Sequence, residues 1–360
     1  MQWKLEKRPE PSRTMVYAAP VLAVLLTAIV GAAIFTAIGY NGVGAVREIF
    51  VTPILNPLKW QDLGIKAAPL VLIAVGLAIG YRANVWNIGA EGQYILGGLA
   101  ATAVALSTRD LAGPWILPLM AIAGVAGGMA WAVVPAALKT RLKVSEILTS
   151  LMLTYVAIQL LNYLVLGPWR DPMGFGFPQT PLFTADQVLP IVVPRTIVHL
   201  GVPIALVVAL IAWFVMARSL FGFQIRVVGA APQAARYGGF SANKTIWLAL
   251  MVSGGLAGLA GMLEVAGTFQ RMVPGFPTNY GFTAIIVAFL GRLNPLGIIF
   301  AGFAMSVAVV GGEVAQTTIG LPNAAVGIFQ SMMLFFLLAS DVLVRYRFRR
   351  VGAQPAGSAA

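Results

Sequence analysis

Long apolar stretches separated by short polar gaps dominate the sequence. Of the 360 residues 59% are hydrophobic and only 10% are charged, whereas a soluble domain carries about 25% charged residues. A helix that crosses the hydrocarbon core of a bilayer needs about 20 apolar residues, so the pattern predicts an all-α integral membrane protein. The ten stretches that we expect to cross the membrane are 15–39, 63–81, 93–107, 114–137, 147–166, 197–217, 245–267, 281–291, 296–312 and 322–344.

The basic residues in the gaps predict the orientation. With the N-terminus inside, 17 of the 24 lysines and arginines lie in inner gaps and 7 in outer gaps. Because cytoplasmic loops carry an excess of positive charge, both termini are expected in the cytoplasm, which an even number of spans allows. The net charge of +12 then reflects membrane topology and not nucleic-acid binding. The chain is expected to divide into a basic cytoplasmic N-terminus (1–14), a transmembrane domain (15–344) and a cytoplasmic tail (345–360).

Two outer gaps, 40–62 and 167–196, are long and rich in proline. Loops of this kind hold short surface helices or cover a cavity mouth. Within the membrane, the glycine pairs 124/128 and 254/258 have the spacing at which helices approach closely in lipid. These features predict a tightly packed helical bundle with structured outer loops.

Few residues offer chemistry outside a transport role. His199 is the only histidine, and the chain has no cysteine, so a metal site lacks partners. No nucleophile–base pair is available for an enzyme embedded in the membrane. Glu264 and Glu313 are expected near the outer ends of their spans, facing water or a docking protein, and Glu146 is expected in a first helical turn beside a capping serine.

The longest inner gap is 218–244, "RSLFGFQIRVVGAAPQAARYGGFSANK". Pro232 suits the first position of a helix, "QAARY" favours helix, and Gly238 and Gly239 suit its end. A two-turn helix between two spans fits a docking device. An ordinary interfacial helix fits equally well on these residues alone.

The stretch "VVGAAPQAARYGGFSANKTIWLALMVSGGLAGLAGMLE" resembles the coupling segment of ABC importer permeases of the ribose and branched-chain amino acid type. The stretches "NIGAEGQYILGG", "SEILTSLMLTYVAIQLLNYLVLGPWRDP" and "YGFTAIIVAFLGRLNP" resemble the nucleoside-importing subgroup. The resemblance covers nearly the whole chain. It implies a type II importer-like bundle of about ten transmembrane helices in two inverted five-helix halves.

The resemblance also implies the function and the partners. The chain is expected to be a non-enzymatic permease subunit in the bacterial cytoplasmic (inner) membrane that moves purine or pyrimidine nucleosides inward. No G-x-x-x-x-G-K-[ST] run occurs, so the chain itself is expected to hold no cofactor, and ATP and Mg²⁺ belong to a partner ATP-binding subunit. A second permease subunit and an extracytoplasmic substrate-binding lipoprotein or periplasmic protein complete the expected set. Arg236 and Tyr237 are expected to contact the ATPase, and Gly229 and Gly239 are expected to set the angle of the helix. The full set of residues expected to couple the chain to the ATPase is Gly229, Pro232, Gln233, Ala235, Arg236, Tyr237 and Gly239.

Two alternatives to this function remain open at this point. Simple sugars such as ribose are a second cargo class, because a ribose is also part of every nucleoside. A secondary transporter driven by an ion gradient also uses inverted repeats and broken helices, although few buried acids are available for it.

A cargo site is expected where two unusually short apolar stretches begin. The stretches 93–107 and 281–291 follow the polar, glycine-containing runs "NVWNIGAEG" and "VPGFPTNYG", and transporters bind cargo near broken helices at the midplane. The residues expected to line the substrate pathway are Trp86, Asn87, Glu91, Gln93, Asn279 and Tyr280.

The roles of these polar residues have competing interpretations. Glu91 either lies near the inner surface and pairs with Arg82 or Lys143, or caps helix N-termini, or contacts cargo; capping is the favoured role. Asn87 and Gln93 suit the edge of a nucleobase, yet carboxamides also join helices in membranes. Trp86 suits stacking on a base and equally suits interfacial anchoring.

Overall fold

The structure is a computed structural model that describes residues 2–8 and 12–351. Parts of the predicted N-terminal segment (1–14) and most of the predicted tail (345–360) therefore lie outside the described residues. The described chain is helical, with one exception to the predicted all-α class. Strand β1 (Gln2–Lys7) pairs antiparallel with β2 (Tyr346–Val351). Both segments alternate apolar and polar residues over part of their length, which is the period that favours strands.

Fourteen α-helices occur within the described residues. In chain order they are α1 (Arg13–Ala37), α2 (Gly42–Phe50), α3 (Thr52–Leu55), α4 (Trp60–Arg82), α5 (Ala90–Ser107), α6 (Ile116–Leu142), α7 (Glu146–Leu166), α8 (Gly201–Arg218), α9 (Leu220–Ala230), α10 (Pro232–Tyr237), α11 (Ala242–Glu264), α12 (Tyr280–Leu290), α13 (Pro295–Ile319) and α14 (Asn323–Arg345). Single 3-10 turns lie at Pro57–Lys59 and Ala185–Gln187, and a π turn, Val265–Phe269, continues α11.

Each of the ten predicted stretches coincides with one of these helices. Seven helices are long and apolar enough to cross a membrane, namely α1, α4, α6, α7, α8, α11 and α13. The helices α5, α12 and α14 complete the predicted set, so ten spans and their orientation stay a prediction. The loop 40–62 holds short helices, α2 and α3, which is one of the two forms expected of it.

The helices group into two compact units. One comprises residues 1–52 and 311–360, and the other comprises residues 53–310. In the first, the rings of Phe35 and Phe329 lie 5.1 Å apart, and Gly31 lies beneath Phe329. The unit boundary does not fall between the fifth and sixth predicted spans, so the inverted five-helix halves also stay a prediction.

Helix α4 lies in the core of the second unit, where 83% of its most apolar 18-residue stretch is buried. Beside it, α5, α6 and α11 meet through glycine. A Cβ atom on Gly128 would lie 2.1 Å from the carbonyl oxygen of Gly254, and one on Gly258 would lie 2.2 Å from that of Gly124. The two predicted glycine pairs therefore pack against each other, and their backbones touch where any side chain would hold them apart.

Candidate functional site

Residues 83–89, between α4 and α5, are not helical, and we call this segment the break. Side chains of α7 hold it in place. Asn84 has a left-handed φ of 57° and turns the backbone. The backbone N–H of Trp86 donates to Glu146 Oε1 (3.2 Å), and that of Ile88 donates to Ser150 Oγ (3.3 Å). These bonds satisfy polar backbone groups that a helix would otherwise pair, which is what non-helical backbone inside a membrane requires.

Asn87 and Gln93 form a buried network with α11. Asn87 Nδ2 donates to Gln93 Oε1 (2.7 Å) and to Ser253 Oγ (2.9 Å), and Gln93 Nε2 donates back to Asn87 Oδ1 (3.3 Å). The exposed fractions of Asn87 and Gln93 are 0% and 1%. Both carboxamides are thus engaged in joining the break to α5 and α11, as the helix-joining interpretation expected.

Glu91 connects the N-termini of the two short helices. It is the second residue of α5, and its carboxylate accepts the backbone N–H groups of Asn279 (3.0 Å) and Gly281 (2.5 Å) at the start of α12. A Cβ atom on Gly281 would lie 2.2 Å from the backbone nitrogen of Glu91. Since free N–H groups and positive dipole ends converge there, the carboxylate occupies the capping position among the three expected roles.

Three aromatic rings cover the outside of the break. Trp86 lies 5.0 Å from the ring of Tyr81 and 6.0 Å from that of Phe289. Its indole Nε1 donates to Asn84 Oδ1 (3.2 Å), and 37% of the residue is exposed. Trp86 and Asn84 are therefore the exposed residues of the first polar run.

The second polar run ends at Asn279 and Tyr280. Asn279 has a left-handed φ of 60° and is exposed. Tyr280 is 3% exposed, meets the ring of Tyr94 edge-on at 6.0 Å, and has Lys66 Nζ 6.0 Å from its ring centroid. The two predicted neighbours thus differ, because one faces outward and the other packs in the interior.

The expectation for Glu264 is wrong. This residue is 2% exposed, and its neighbours are Thr268 and Lys66. Helix α11 does not end in water there, because it continues into the π turn Val265–Phe269. The loop 180–189 covers that turn through backbone bonds to 266–272. Glu313 is exposed, as expected.

Two further predicted residues have different partners from those expected. Ser145 occupies the N-cap of α7 without a side-chain capping bond. Instead, Glu146 accepts from Lys139 Nζ as well as from Trp86. His199 is 4% exposed, and its Nδ1 accepts the backbone N–H of Gly201 (3.1 Å). Because Nδ1 accepts this bond it carries no proton, and burial favours that neutral ring by lowering the pKa of His199 below its ordinary value. No cluster of metal ligands occurs among the described residues.

The segment 218–244 forms two helices and not one. Helix α10 begins at Pro232, as predicted, and Gly239 follows it with a left-handed φ of 80°. One face of α10 is exposed to solvent. It carries Gln233, Arg236 and Tyr237, the last of which is 96% exposed, while Ala235 on the other face is buried.

Helix α9 was not predicted, and it links α10 to the break. A Cβ atom on Gly229 would lie 1.9 Å from the carbonyl oxygen of Arg82, the last residue of α4. A cleft with a volume of about 520 Å³ lies beside α10. It is lined by Pro232, Arg236, Gly239, Phe240, Ser241, Ala242 and Asn243.

Sequence reasoning missed Lys139, Ser150, Ser253 and Gly281 as supports of the break. Glu146 was considered only as a first-turn acid. Gly281 is visible as a glycine directly after a polar run, but Ser253 carries no local signal, since its partner Asn87 is 166 residues away.

Known proteins resemble this chain over nearly its whole length. Residues 62–338 match the family described as branched-chain amino acid transport system / permease component. The chain is 35% identical to the glucose ABC transporter permease of Haloferax volcanii, over 95% of this chain and 93% of that protein. It is 31% identical to the guanosine ABC transporter permease of Bacillus subtilis, over 91% and 94%. It is 27% identical to a nucleoside ABC transporter permease of Lactococcus lactis subsp. cremoris, over 92% and 93%. The chain therefore belongs to this permease family, as a multi-pass protein of the cytoplasmic membrane and not an enzyme.

Proposed function

We propose that the chain is the permease subunit of an ATP-driven importer that moves nucleosides into the cell. The observation that carries this proposal is the exposed face of α10, which is linked through α9 to the break. A helix that docks an ATPase must be accessible and must be connected to the segments that it moves. Two of the three relatives named above are permeases for guanosine or nucleosides, which supports this cargo class. The ion-gradient alternative loses its support, because the family consists of permease components of transport systems.

The proposed partners follow from what the chain lacks. A separate subunit with nucleotide-binding domains binds ATP and Mg²⁺, because this sequence has no phosphate-binding loop. A second permease subunit completes the pathway, and an extracytoplasmic binding protein delivers the cargo. Both termini and α10 lie on the cytoplasmic side in this arrangement, in agreement with the excess of basic residues there.

Coupling is proposed to run from α10 through α9 to the break. The ATPase binds the exposed residues Gln233, Arg236 and Tyr237, while the buried Ala235 fixes α10 to its neighbours. Gly229 lies directly on the carbonyl of Arg82, and no side chain intervenes to absorb a displacement. A shift of α9 is therefore transmitted to the chain that carries Trp86.

The predicted pathway residues are proposed to divide into two roles. Trp86 and Asn279 keep exposed surface and face the pathway. Asn87, Glu91 and Gln93 hold the break in shape, since their polar groups are engaged by the protein, and Tyr280 supports them from the interior. Cargo selectivity then depends on the exposed residues.

Charge reversal at Arg236 tests the coupling assignment. Arg236→Glu is expected to abolish ATP-dependent nucleoside uptake by vesicles containing the assembled transporter, and to lower co-purification of the ATPase, while insertion of the permease is unchanged. Arg141→Glu, an exposed residue at the end of α6, makes the same change in an inner gap outside α9 and α10 and is the matched control. Undiminished uptake by Arg236→Glu refutes the role of α10.

Sugars are the second cargo candidate, because the relative from Haloferax volcanii is a glucose permease. Binding of the cognate extracytoplasmic protein to a panel of nucleosides and sugars separates the two classes. Tight binding of glucose or ribose with no binding of nucleosides overturns the proposed cargo and leaves the transporter class intact.

A further inference from the structure

Helix α7 combines little burial with low hydropathy. Only 22% of its most apolar 18-residue stretch is buried. The mean hydropathy of this stretch is 1.5, the lowest among the seven long apolar helices found in the described residues. Helix α8 is equally bare, at 22%, but has a mean hydropathy of 2.1. A helix covered by lipid must be apolar on its outer face, so lipid suits the bare face of α8 better than that of α7.

The exposed surface of α7 carries a series of aromatic and polar side chains spaced four residues apart, beside the exposed apolar residues Met152 and Val156. Tyr155 is 58% exposed, Gln159 is exposed and Tyr163 is 68% exposed. Residues four apart lie on one helix face, about 6 Å from one another along the axis. On α8, by contrast, the exposed residues with this spacing are Leu206, Leu210 and Phe214.

Gln159 lies well inside the predicted span, 13 residues after Glu146 and 7 before Leu166. Its carboxamide has no hydrogen-bond partner within the part of the chain that the structure describes. A carboxamide facing hydrocarbon loses its hydrogen bonds with water and gains none. Polar side chains within spans instead face the protein interior or a water-filled cavity.

The opposite face of α7 is fixed to the candidate site. Thr154, Ala157 and Leu161 are buried. At the inner end, Glu146 and Ser150 bind the backbone of the break that carries Trp86. The exposed series therefore lies on a helix whose position is set by the residues proposed to hold the break in shape.

We propose that Tyr155, Gln159 and Tyr163 form a wall of the pathway and contact the nucleoside directly. This inference rests on the proposed function and names residues that determine its cargo specificity. The tyrosine rings offer stacking surfaces for a base, and the carboxamide between them offers a donor and an acceptor to its edge or to a ribose hydroxyl. Cargo, and not a second permease subunit, is the occupant, because aromatic faces alternating with an unpaired carboxamide match an aromatic molecule with polar edges.

Single cysteines test this wall, and the natural chain has none to interfere. Tyr155→Cys, Gln159→Cys and Tyr163→Cys are compared with Leu210→Cys on α8 in vesicles containing the assembled transporter, using a water-soluble thiosulfonate reagent. The three α7 cysteines are expected to react at least about tenfold faster than Leu210→Cys, because the reactive thiolate forms in water and not in lipid. Nucleoside is expected to slow the reaction at position 159.

A functional variant gives a second measurement. Gln159→Leu is expected to raise the KM for nucleoside uptake by about three- to tenfold, the effect of one lost hydrogen bond, without changing the amount of assembled transporter. Leu210→Met on α8 is the matched control, with no expected change.

The outcomes distinguish the competing occupants. Labelling of the α7 cysteines as slow as that of Leu210→Cys means that lipid covers the face and overturns the wall. Cross-linking of the α7 cysteines to the second permease, with loss of assembly in Gln159→Leu, means an interface and also overturns it. Fast labelling that no cargo slows overturns direct contact. Protection by a sugar but not by a nucleoside supports the wall and refutes the proposed nucleoside cargo.

Discussion

Removal of the Glu91 carboxylate is expected to destabilise the joint between α5 and α12. In Glu91→Ala the backbone N–H groups of Asn279 and Gly281 lose their acceptor, which accepts them at 3.0 and 2.5 Å. Water cannot replace it, because Glu91 is only 1% exposed. The buried N–H of Gly281 and the partly buried N–H of Asn279 are then left without this acceptor at the start of α12.

The size of the effect follows from these two bonds. A hydrogen bond to a charged group contributes about 1.5–3 kcal/mol, whereas burial of a carboxylate costs several kcal/mol in the wild type. Each N–H donor left without an acceptor costs about 1–3 kcal/mol, and part of this loss is offset because Glu91→Ala no longer buries a carboxylate. The net loss for Glu91→Ala is therefore about 2–4 kcal/mol. Glu91→Gln keeps the volume but offers one acceptor and a clashing NH₂ group, so one donor stays unpaired at a cost of about 1–3 kcal/mol.

Thermal unfolding of the purified protein in detergent measures the Tm, which is expected to fall in the order wild type, Glu91→Gln, Glu91→Ala. Each kcal/mol lowers Tm by about 2–4 °C in a domain of 150–250 residues, so both variants are resolvable. Asp110→Asn changes an exposed carboxylate and is expected to stay within about 0.5 kcal/mol of wild type.

A wild-type Tm for Glu91→Ala refutes the capping role. Full stability of Glu91→Gln combined with a raised KM for nucleoside assigns Glu91 to cargo contact instead.

Two further predictions follow from packing and from burial. Gly258→Ala places a Cβ atom 2.2 Å from the carbonyl oxygen of Gly124 and is expected to cost about 1–3 kcal/mol by overpacking; Gly255→Ala, whose Cβ meets the flexible side chain of Met129 at 3.1 Å, is its control on the same helix, and equal Tm values for the two variants contradict the close approach. Because burial lowers the pKa of His199, the unfolded chain binds a proton more readily than the folded one. Stability is then full above about pH 6.5 and falls as the pH drops towards the folded pKa; His199→Gln is expected to flatten this part of the pH–Tm curve, and an unchanged curve refutes a buried neutral histidine.

The helices of this chain were predictable because the membrane imposes one simple requirement on them. A span must be apolar over its whole length, so the apolar pattern alone located ten helices, with ends that differ from the observed ones by at most seven residues. The start of α10 was readable for a local reason, since Pro232 fits only the first turn of a helix. Helix α9 was missed, because its apolar and polar residues look like those of any interfacial segment.

The partners of the polar side chains were not predictable. Asn87 bonds to Ser253, and Glu91 bonds to Gly281, at separations of 166 and 190 residues. A carboxamide has the same donors and acceptors for a helix as for a nucleobase, so sequence left both roles open for Asn87. Its complete burial favours the helix-joining role. Glu264 illustrates the same limit, because it is buried although it is the last residue of α11, and no pattern of nearby residues indicates this.

These polar residues show how burial separates support from recognition in a transporter. A side chain that holds a broken helix must have its hydrogen bonds completed by the protein, as Asn87, Gln93 and Glu91 have. A side chain that selects cargo must keep its hydrogen-bonding groups free until cargo arrives, which is the role that we propose for Gln159. Substitution of the first kind is therefore expected to lower Tm before it changes KM, whereas substitution of Gln159 is expected to change KM at constant Tm. Measurement of both quantities on Glu91→Gln and Gln159→Leu tests this division, and equal changes in Tm for the two variants refute it.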